Sequence, residues 1–308
     1  MGISQYIREI GRGKDGARSL SRAQAADLFG QVLDGTVTDL EVGGFCLAMR
    51  IKGETPEEMA GFLDATHARL ARVPAHTHPC VVLPSYNGAR KLPVLTGLLA
   101  LLLARHGLPV LVHGTPTENS RVTSAQVLAL LGVQPWTSMQ MLRSGEVGLV
   151  PTALLLPGLQ RLLDVRRTVG LRNPAHSLVK LMNPCQGPSI VVGSYTHPEY
   201  ALSMARTFEL TQSHALLLRG TEGEPVADPR RQPAMEAFVA GERRPLSLRQ
   251  EGSLASLPDL PSQVDAETTA AYTQAVLDDR LPVPAPLQAQ VAHLLRLCQN
   301  LRPLEDTA

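Results

Sequence analysis

Two short polar stretches carry most of the groups that could do chemistry. Pro84-Ser85-Tyr86-Asn87-Gly88-Ala89-Arg90-Lys91 follows the apolar run Cys80–Leu83, and His113 through Arg121 follows the apolar run Leu108–Val112. The residue types point to holding an anion rather than to breaking a bond. Arg90, Lys91 and Arg121 can give charge-assisted hydrogen bonds to phosphate, while Asn87, Asn119 and Ser120 can give neutral ones. Tyr86 offers a face on which a base could stack, against the plainer reading of a half-buried packing residue. His113 fits a loop histidine with satisfied bonds better than a catalytic base. Arg166, Arg167, Arg172 and Lys180 extend the basic set, although Arg166-Arg167 and Arg230-Arg231 fit a solvated surface equally well. Glu222 and Glu224 are candidate acids, and for both the default is an unpaired surface carboxylate.

Charge supports an anionic partner only through its distribution. The 308-residue chain has a net charge of +1, which argues against a strongly basic binder of nucleic acid. Between Pro84 and Pro184, however, ten bases face three acids, a local excess of +7 that leaves −6 elsewhere. Such asymmetry predicts a positive surface. Hydrophobic residues make up 44% and aromatics 4%, so the core of an ordinary globular protein must be built from Leu, Val and Ala. Cys46, Cys80, Cys185 and Cys298 show no C-x-x-C spacing, which fits buried reduced thiols in a cytoplasmic protein. His76-Thr77-His78 lacks a nearby acidic or Cys partner and reads as solvated linker, so no metal and no cofactor are expected. The longest apolar run, Leu92–Ala104, is too short to span a bilayer, and no signal-peptide core opens the chain.

The elements that must position these groups are legible in part. Ser21-Arg22-Ala23-Gln24, Thr38-Asp39-Leu40-Glu41 and Thr55-Pro56-Glu57-Glu58 are capping boxes. They predict helices over Ser21–Leu33, Thr38–Ile51 and Thr55–Leu70, with Gly35 and Gly53 as stops, in a helical domain of residues 1–75. Gly43-Gly44 inside the second helix is unfavourable unless another helix packs closely there, across a dimer interface for example. After the linker Val73–Pro79, strands are expected near 80–83, 108–112, 190–194 and 215–218. Capped helices follow from Thr123 to Gly132 and from Thr196 to about Leu210. Leu159–Lys180 reads as helical and basic, Glu222–Pro261 as loops and short strands, and Val264–Asp278 and Pro286–Gln299 as closing helices. The repeated strand-then-helix order predicts an α/β domain over 80–308 with a mostly parallel sheet. Both polar stretches then lie at one sheet edge and face one cleft.

The stretches Leu20-Ser21, Leu33-Asp34-Gly35-Thr36-Val37-Thr38-Asp39 and Arg50-Ile51-Lys52-Gly53-Glu54-Thr55-Pro56-Glu57-Glu58 resemble the helical domain of the anthranilate phosphoribosyltransferase family. The likeness continues at His113-Gly114, Ser124–Gly132, Arg167–Arg172, Asn183-Pro184 and Val192-Gly193-Ser194-Tyr195. It implies an N-terminal helical domain completed by helices from about 160–183, a central α/β domain, and a homodimer formed through the helical part. The family's catalytic motifs do not carry over. Its Gly-Thr-Gly-Gly-Asp phosphate loop corresponds here to Pro84-Ser85-Tyr86-Asn87-Gly88, and its Asn-x-Ser-Thr to Val94-Leu95-Thr96-Gly97. Lys-His-Gly-Asn-Arg becomes Val112-His113-Gly114-Thr115-Pro116, and the magnesium-binding Asp-Glu pair falls near Pro225-Val226. The histidine motif for the aromatic substrate has become Leu156-Pro157-Gly158-Leu159, while Arg172 matches a residue that handles the aromatic acid.

Correlated losses of this kind resemble the YbiB-like branch of the family, which keeps the fold and dimer and binds DNA. The resulting expectation is a non-catalytic cytoplasmic homodimer that binds DNA or RNA backbone with little sequence preference. Its nucleic-acid-binding residues would be Tyr86, Asn87, Arg90, Lys91, Asn119, Ser120, Arg121, Arg166, Arg167, Arg172 and Lys180. Two other readings stay open: a phosphoribosyltransferase or other glycosyltransferase with a divergent phosphate site, and a scaffold whose basic face docks an acidic protein.

Overall fold

The structure, a computed structural model, describes residues 2–13, 15–74, 78–118, 120–253 and 257–301. His76, Thr77 and Asn119 lie outside the described residues. The chain begins with α1 (Ser4–Ile10), α2 (Arg22–Asp34), α3 (Asp39–Lys52) and α4 (Pro56–His67). Ser21, Thr38 and Thr55 each form the reciprocal capping box their sequences predict. Phe29, Phe45 and Phe62, one from each of the last three helices, meet in a buried aromatic cluster.

The order then runs β1 (Val73–Pro74), β2 (Cys80–Pro84), α5 (Thr96–Arg105), β3 (Val110–Gly114), α6 (Ser124–Leu130), β4 (Val147–Pro151), α7 (Thr152–Leu155), α8 (Pro157–Val169) and α9 (Ala175–Leu178). It closes with β5 (Cys185–Gln186), β6 (Ser189–Tyr195), α10 (Pro198–Leu210), β7 (Ala215–Arg219), β8 (Met235–Val239), β9 (Glu242–Ser247), α11 (Ala266–Leu277) and α12 (Ala285–Asn300). The main sheet has seven strands in the order β4-β3-β2-β6-β7-β8-β9. The first five are parallel, and β8 and β9 add an antiparallel edge. This is the mixed, mostly parallel sheet with helices and an N-terminal helical bundle that the sequence implies.

Alternation along the strands divides the core. Cys80 and Val82 of β2 join the cluster shared with the helical bundle, while Val81 and Leu83 join the cluster under α5, α11 and α12. Successive side chains of a strand point to opposite faces, so one five-residue strand supplies both layers. The helical, basic stretch expected over Leu159–Lys180 consists of two helices. α8 ends where Gly170 turns left-handed at φ 75°, and Asn173-Pro174 starts α9, leaving Arg172 in the connection. The early strand order reverses between β2 and β6: β3 and β4 lie on one side, β7 on the other. The loops after β2, β3 and β7 therefore converge on the crevice that such a switch point opens.

Candidate functional site

The loop after β2 is pulled against the loop after β3 by a backbone bridge. Ala89 N donates to Val122 O at 2.8 Å, and Val122 N to Ala89 O at 3.0 Å. Gly88 must be glycine for this approach: its φ is +64°, and a Cβ there would lie 2.7 Å from Val122 O. The loop after β7 closes from the third side. Asn87 Nδ2 donates to Glu222 O at 2.8 Å, and Lys180 Nζ and Ser194 Oγ donate to Gly223 O at 3.0 and 2.8 Å.

Glu222 and Glu224 are not the unpaired surface carboxylates expected from sequence. Glu224 is 1% exposed and accepts hydrogen bonds from the Asn87 and Gly88 amides and from the Ser85, Thr96 and Ser124 hydroxyls. Glu222 accepts from the amides of Arg90, Lys91 and Leu92. Sequence spacing could not show this, because the donors lie about 130 positions away and are mostly backbone groups. The signal that was available is the short turn itself, with Glu222 and Glu224 flanking a glycine after an apolar strand.

Next to this turn the arginines gather on one carboxylate. Glu118 pairs with Arg121 at 2.9 Å, Arg166 at 2.9 Å and Arg172 at 3.2 Å. Partial burial alone would raise its pKa, but the hydrogen bonds and charges of Arg166 and Arg121 outweigh that and hold it at about 2. Burial pushes the Lys180 ammonium down to about 8, with Arg172 and Arg121 adding to the effect and Glu224 opposing it. Arg121 also reaches Glu222 at 3.8 Å.

The eleven residues singled out in the sequence thus divide into groups. Arg121, Arg166, Arg172 and Lys180 meet in one cluster beside the turn. The side chains of Arg90 and Lys91 are exposed at its rim, where their backbone amides hold Glu222. Ser120 is exposed at the tip of the next loop. Arg167 stands apart on α8, exposed and paired with Asp164. Tyr86 is 4% exposed, with its hydroxyl 2.9 Å from His113 Nδ1 and accepting from Thr152, so its ring is packed inside. His113 lies within β3, one residue before its end, rather than in a loop, and burial lowers its pKa to about 3, leaving the ring neutral at ordinary pH. Among the described residues, no group of His, Cys, Asp and Glu is arranged to hold a metal ion.

Comparison with known proteins places this architecture. Residues 4–69 match the pattern described as glycosyl transferase family, helical bundle domain. YbiB of Escherichia coli, a protein described as uncharacterized, is 38% identical over 95% of this chain and 93% of its own length. Anthranilate phosphoribosyltransferase of Symbiobacterium thermophilum is 30% identical over 72% of this chain and 65% of its own. The crystal structure of anthranilate phosphoribosyltransferase from Thermus thermophilus superposes with a TM-score of 0.73 at 21% identity, covering 96% of this chain and 88% of that one.

Proposed function

Because the chain belongs to the anthranilate phosphoribosyltransferase family (glycosyltransferase family 3), whose shared fold does not fix what each member does, we propose that it is a non-catalytic, homodimeric binder of nucleic-acid backbone. The single observation that carries this reading is the cation cluster. Arg121, Arg166 and Arg172 share one carboxylate, Glu118, and the side chains of Arg90 and Lys91 stand exposed beside them. A strip with more guanidinium and ammonium groups than carboxylates attracts a polyanion and contacts phosphates without reading bases. Little sequence preference follows.

The dimer reading rests on α3. Leu40, Leu47 and Ile51 are 86%, 47% and 68% exposed, and with Gly43 and Gly44 they occupy one face at helical spacing. Nothing lies within 4 Å of a Cβ at Gly43, and only the Ile7 side chain lies that near Gly44. The monomer therefore has room for larger residues at both places, although each glycine costs its helix about 1 kcal/mol relative to Ala. Close approach by the same face of a second copy accounts for both the glycines and the uncovered leucines.

The test is a fluorescence-anisotropy titration of unrelated DNA and RNA oligonucleotides over a range of salt. The logarithm of affinity should fall linearly with the logarithm of salt, by about 0.7–0.9 per phosphate engaged, and similarly for every sequence. Absence of binding at low salt would overturn the reading. A parallel assay with phosphoribosyl pyrophosphate, magnesium and anthranilate should release no pyrophosphate above background.

A further inference from the structure

The crevice already contains an anion, supplied by the chain itself. The amides of Asn87, Gly88, Arg90, Lys91 and Leu92 point toward the two carboxylates carried by the turn after β7. Glu224 Oε1 takes the Asn87 and Gly88 amides at 2.8 and 2.9 Å; Oε2 takes Ser85, Thr96 and Ser124 hydroxyls at 2.5, 3.0 and 3.1 Å. Glu222 Oε1 takes the Arg90, Lys91 and Leu92 amides at 3.1, 2.7 and 3.1 Å. Converging backbone amides form a concavity that binds oxyanions whatever molecule carries them. Here the hydroxyls and the neighbouring Arg121 and Lys180 strengthen it.

The turn shows signs of being held in place by its carboxylates. Glu222 has a left-handed backbone, φ 50° and ψ 22°, which a residue with a side chain adopts at a cost of about 1–2 kcal/mol. The three hydrogen bonds that backbone amides donate to its carboxylate offset that cost. Glu224 is buried, yet both of its oxygens are satisfied, which is the condition for keeping a carboxylate out of water.

We infer that Glu222 and Glu224 act as an internal plug: they occupy an oxyanion nest formed by the Asn87–Leu92 loop and keep phosphate and diphosphate groups out of it. Free oxyanions must displace the chain's own carboxylates rather than water. A polyanion approaching the crevice then meets the side chains at the rim and not the amides beneath. The plug is independent of whether that polyanion is a nucleic acid.

The experiment compares the thermal stability of the wild type with that of Glu222→Gly and Glu224→Ala. Each is titrated with sodium phosphate or sodium pyrophosphate, against sodium chloride at equal ionic strength and without divalent cations. Glu222→Gly removes a carboxylate while supplying the residue that best tolerates the left-handed backbone, so it keeps the loop foldable. The wild type should show no anion-specific change in Tm. Both variants should melt lower in chloride and gain several degrees, saturably, with millimolar pyrophosphate. A variant that is unfolded in chloride should refold when pyrophosphate is added. Equal pyrophosphate shifts in wild type and variants would mean that the nest is already open, and the absence of any shift or refolding in the variants would mean that there is no nest; either overturns the proposal. The readout contains no nucleic acid, so its failure and that of the oligonucleotide titration are separate results.

Discussion

Lys52 Nζ lies 2.6 Å from Glu58 Oε2 in an ion pair whose side chains are 8% and 0% exposed. Glu58 also closes the capping box of α4 through the Thr55 amide and accepts the Leu20 amide at 2.8 Å, so one carboxylate joins the starts of α2 and α4 to the end of α3. Removing one partner of a buried pair strands the other charge and opens the bonds around it. Glu58→Ala should lower unfolding free energy by about 3–5 kcal/mol, read as the shift of a urea transition. Arg244→Ala, which breaks an ion pair on the open surface, should leave that transition where it is.

The Glu118 cluster sets an acid limit. With the folded pKa held at about 2 against an ordinary 4.5, the carboxylate stabilises the fold fully above about pH 5. That contribution is lost as pH falls from there toward 2. On the order of 2 kcal/mol is at stake. Glu118→Gln should lose less stability than the wild type between pH 6 and pH 3. The same substitution leaves Arg121, Arg166 and Arg172 without their shared anion, and oligonucleotide affinity should rise several-fold.

Arg90 and Lys91 hold Glu222 with backbone amides, not with side chains. Replacing both by Ala should therefore leave Tm nearly unchanged while weakening oligonucleotide binding similarly for unrelated sequences. The salt slope should become shallower by up to about 0.9 for each phosphate that is no longer neutralised. Arg296→Ala, on the exposed side of α12, should change neither affinity nor slope.

Substitutions at Gly43 test the proposed dimer. In an isolated chain Gly43→Ala would stabilise α3 by up to about 1 kcal/mol, since nothing obstructs the new methyl group. If α3 packs on its copy, Gly43→Leu should shift light-scattering mass from near twice 33.1 kDa toward 33.1 kDa. A wild type that runs as a monomer at micromolar concentration would remove the dimer from the proposed function.

The four cysteines offer a check on the core. All are free and buried, and Cys185 Sγ lies 2.9 Å from Cys80 Sγ. Burial pushes the Cys46 thiol up to about 12 and holds the Cys80 thiol well above its ordinary value, so neither forms the reactive thiolate at neutral pH. A thiol reagent should modify almost none of them in the native protein and all of them in guanidinium.

What the sequence disclosed was local. Ser21, Thr38, Thr55 and Thr123 signal their helices within four residues, and the structure caps all of them. The β2, β3, β6 and β7 runs are apolar and bounded by turn residues, which makes them legible too. β4 escapes such a reading because Gly148 interrupts the apolar run of Val147–Pro151; its hydrogen is all that fits beside Trp136. Within the site, the basic residues could be found by type, but their pairing could not. Arg121 reaches Glu118 from three positions along the chain, but Arg166 and Arg172 come from 48 and 54 positions away, a convergence that only the tertiary fold creates. Tyr86 illustrates the opposite difficulty. Its neighbours are polar, yet His113 and Thr152 hold it inside.

The meeting of α8 with α2 has a consequence in time. Arg161 donates to Leu33 O across 128 positions, and a Cβ on Gly158 would fall 2.0 Å from the same oxygen, so the two backbones touch. A chain leaving the ribosome from its N-terminus makes α2 long before α8 exists. At roughly 5–20 residues per second the interval is about 6–25 s. During it the side of α2 that α8 will cover is open, and β2 likewise waits for β6. The nascent chain therefore passes through a period of exposed apolar surface, when it is most vulnerable to aggregation and most in need of a chaperone.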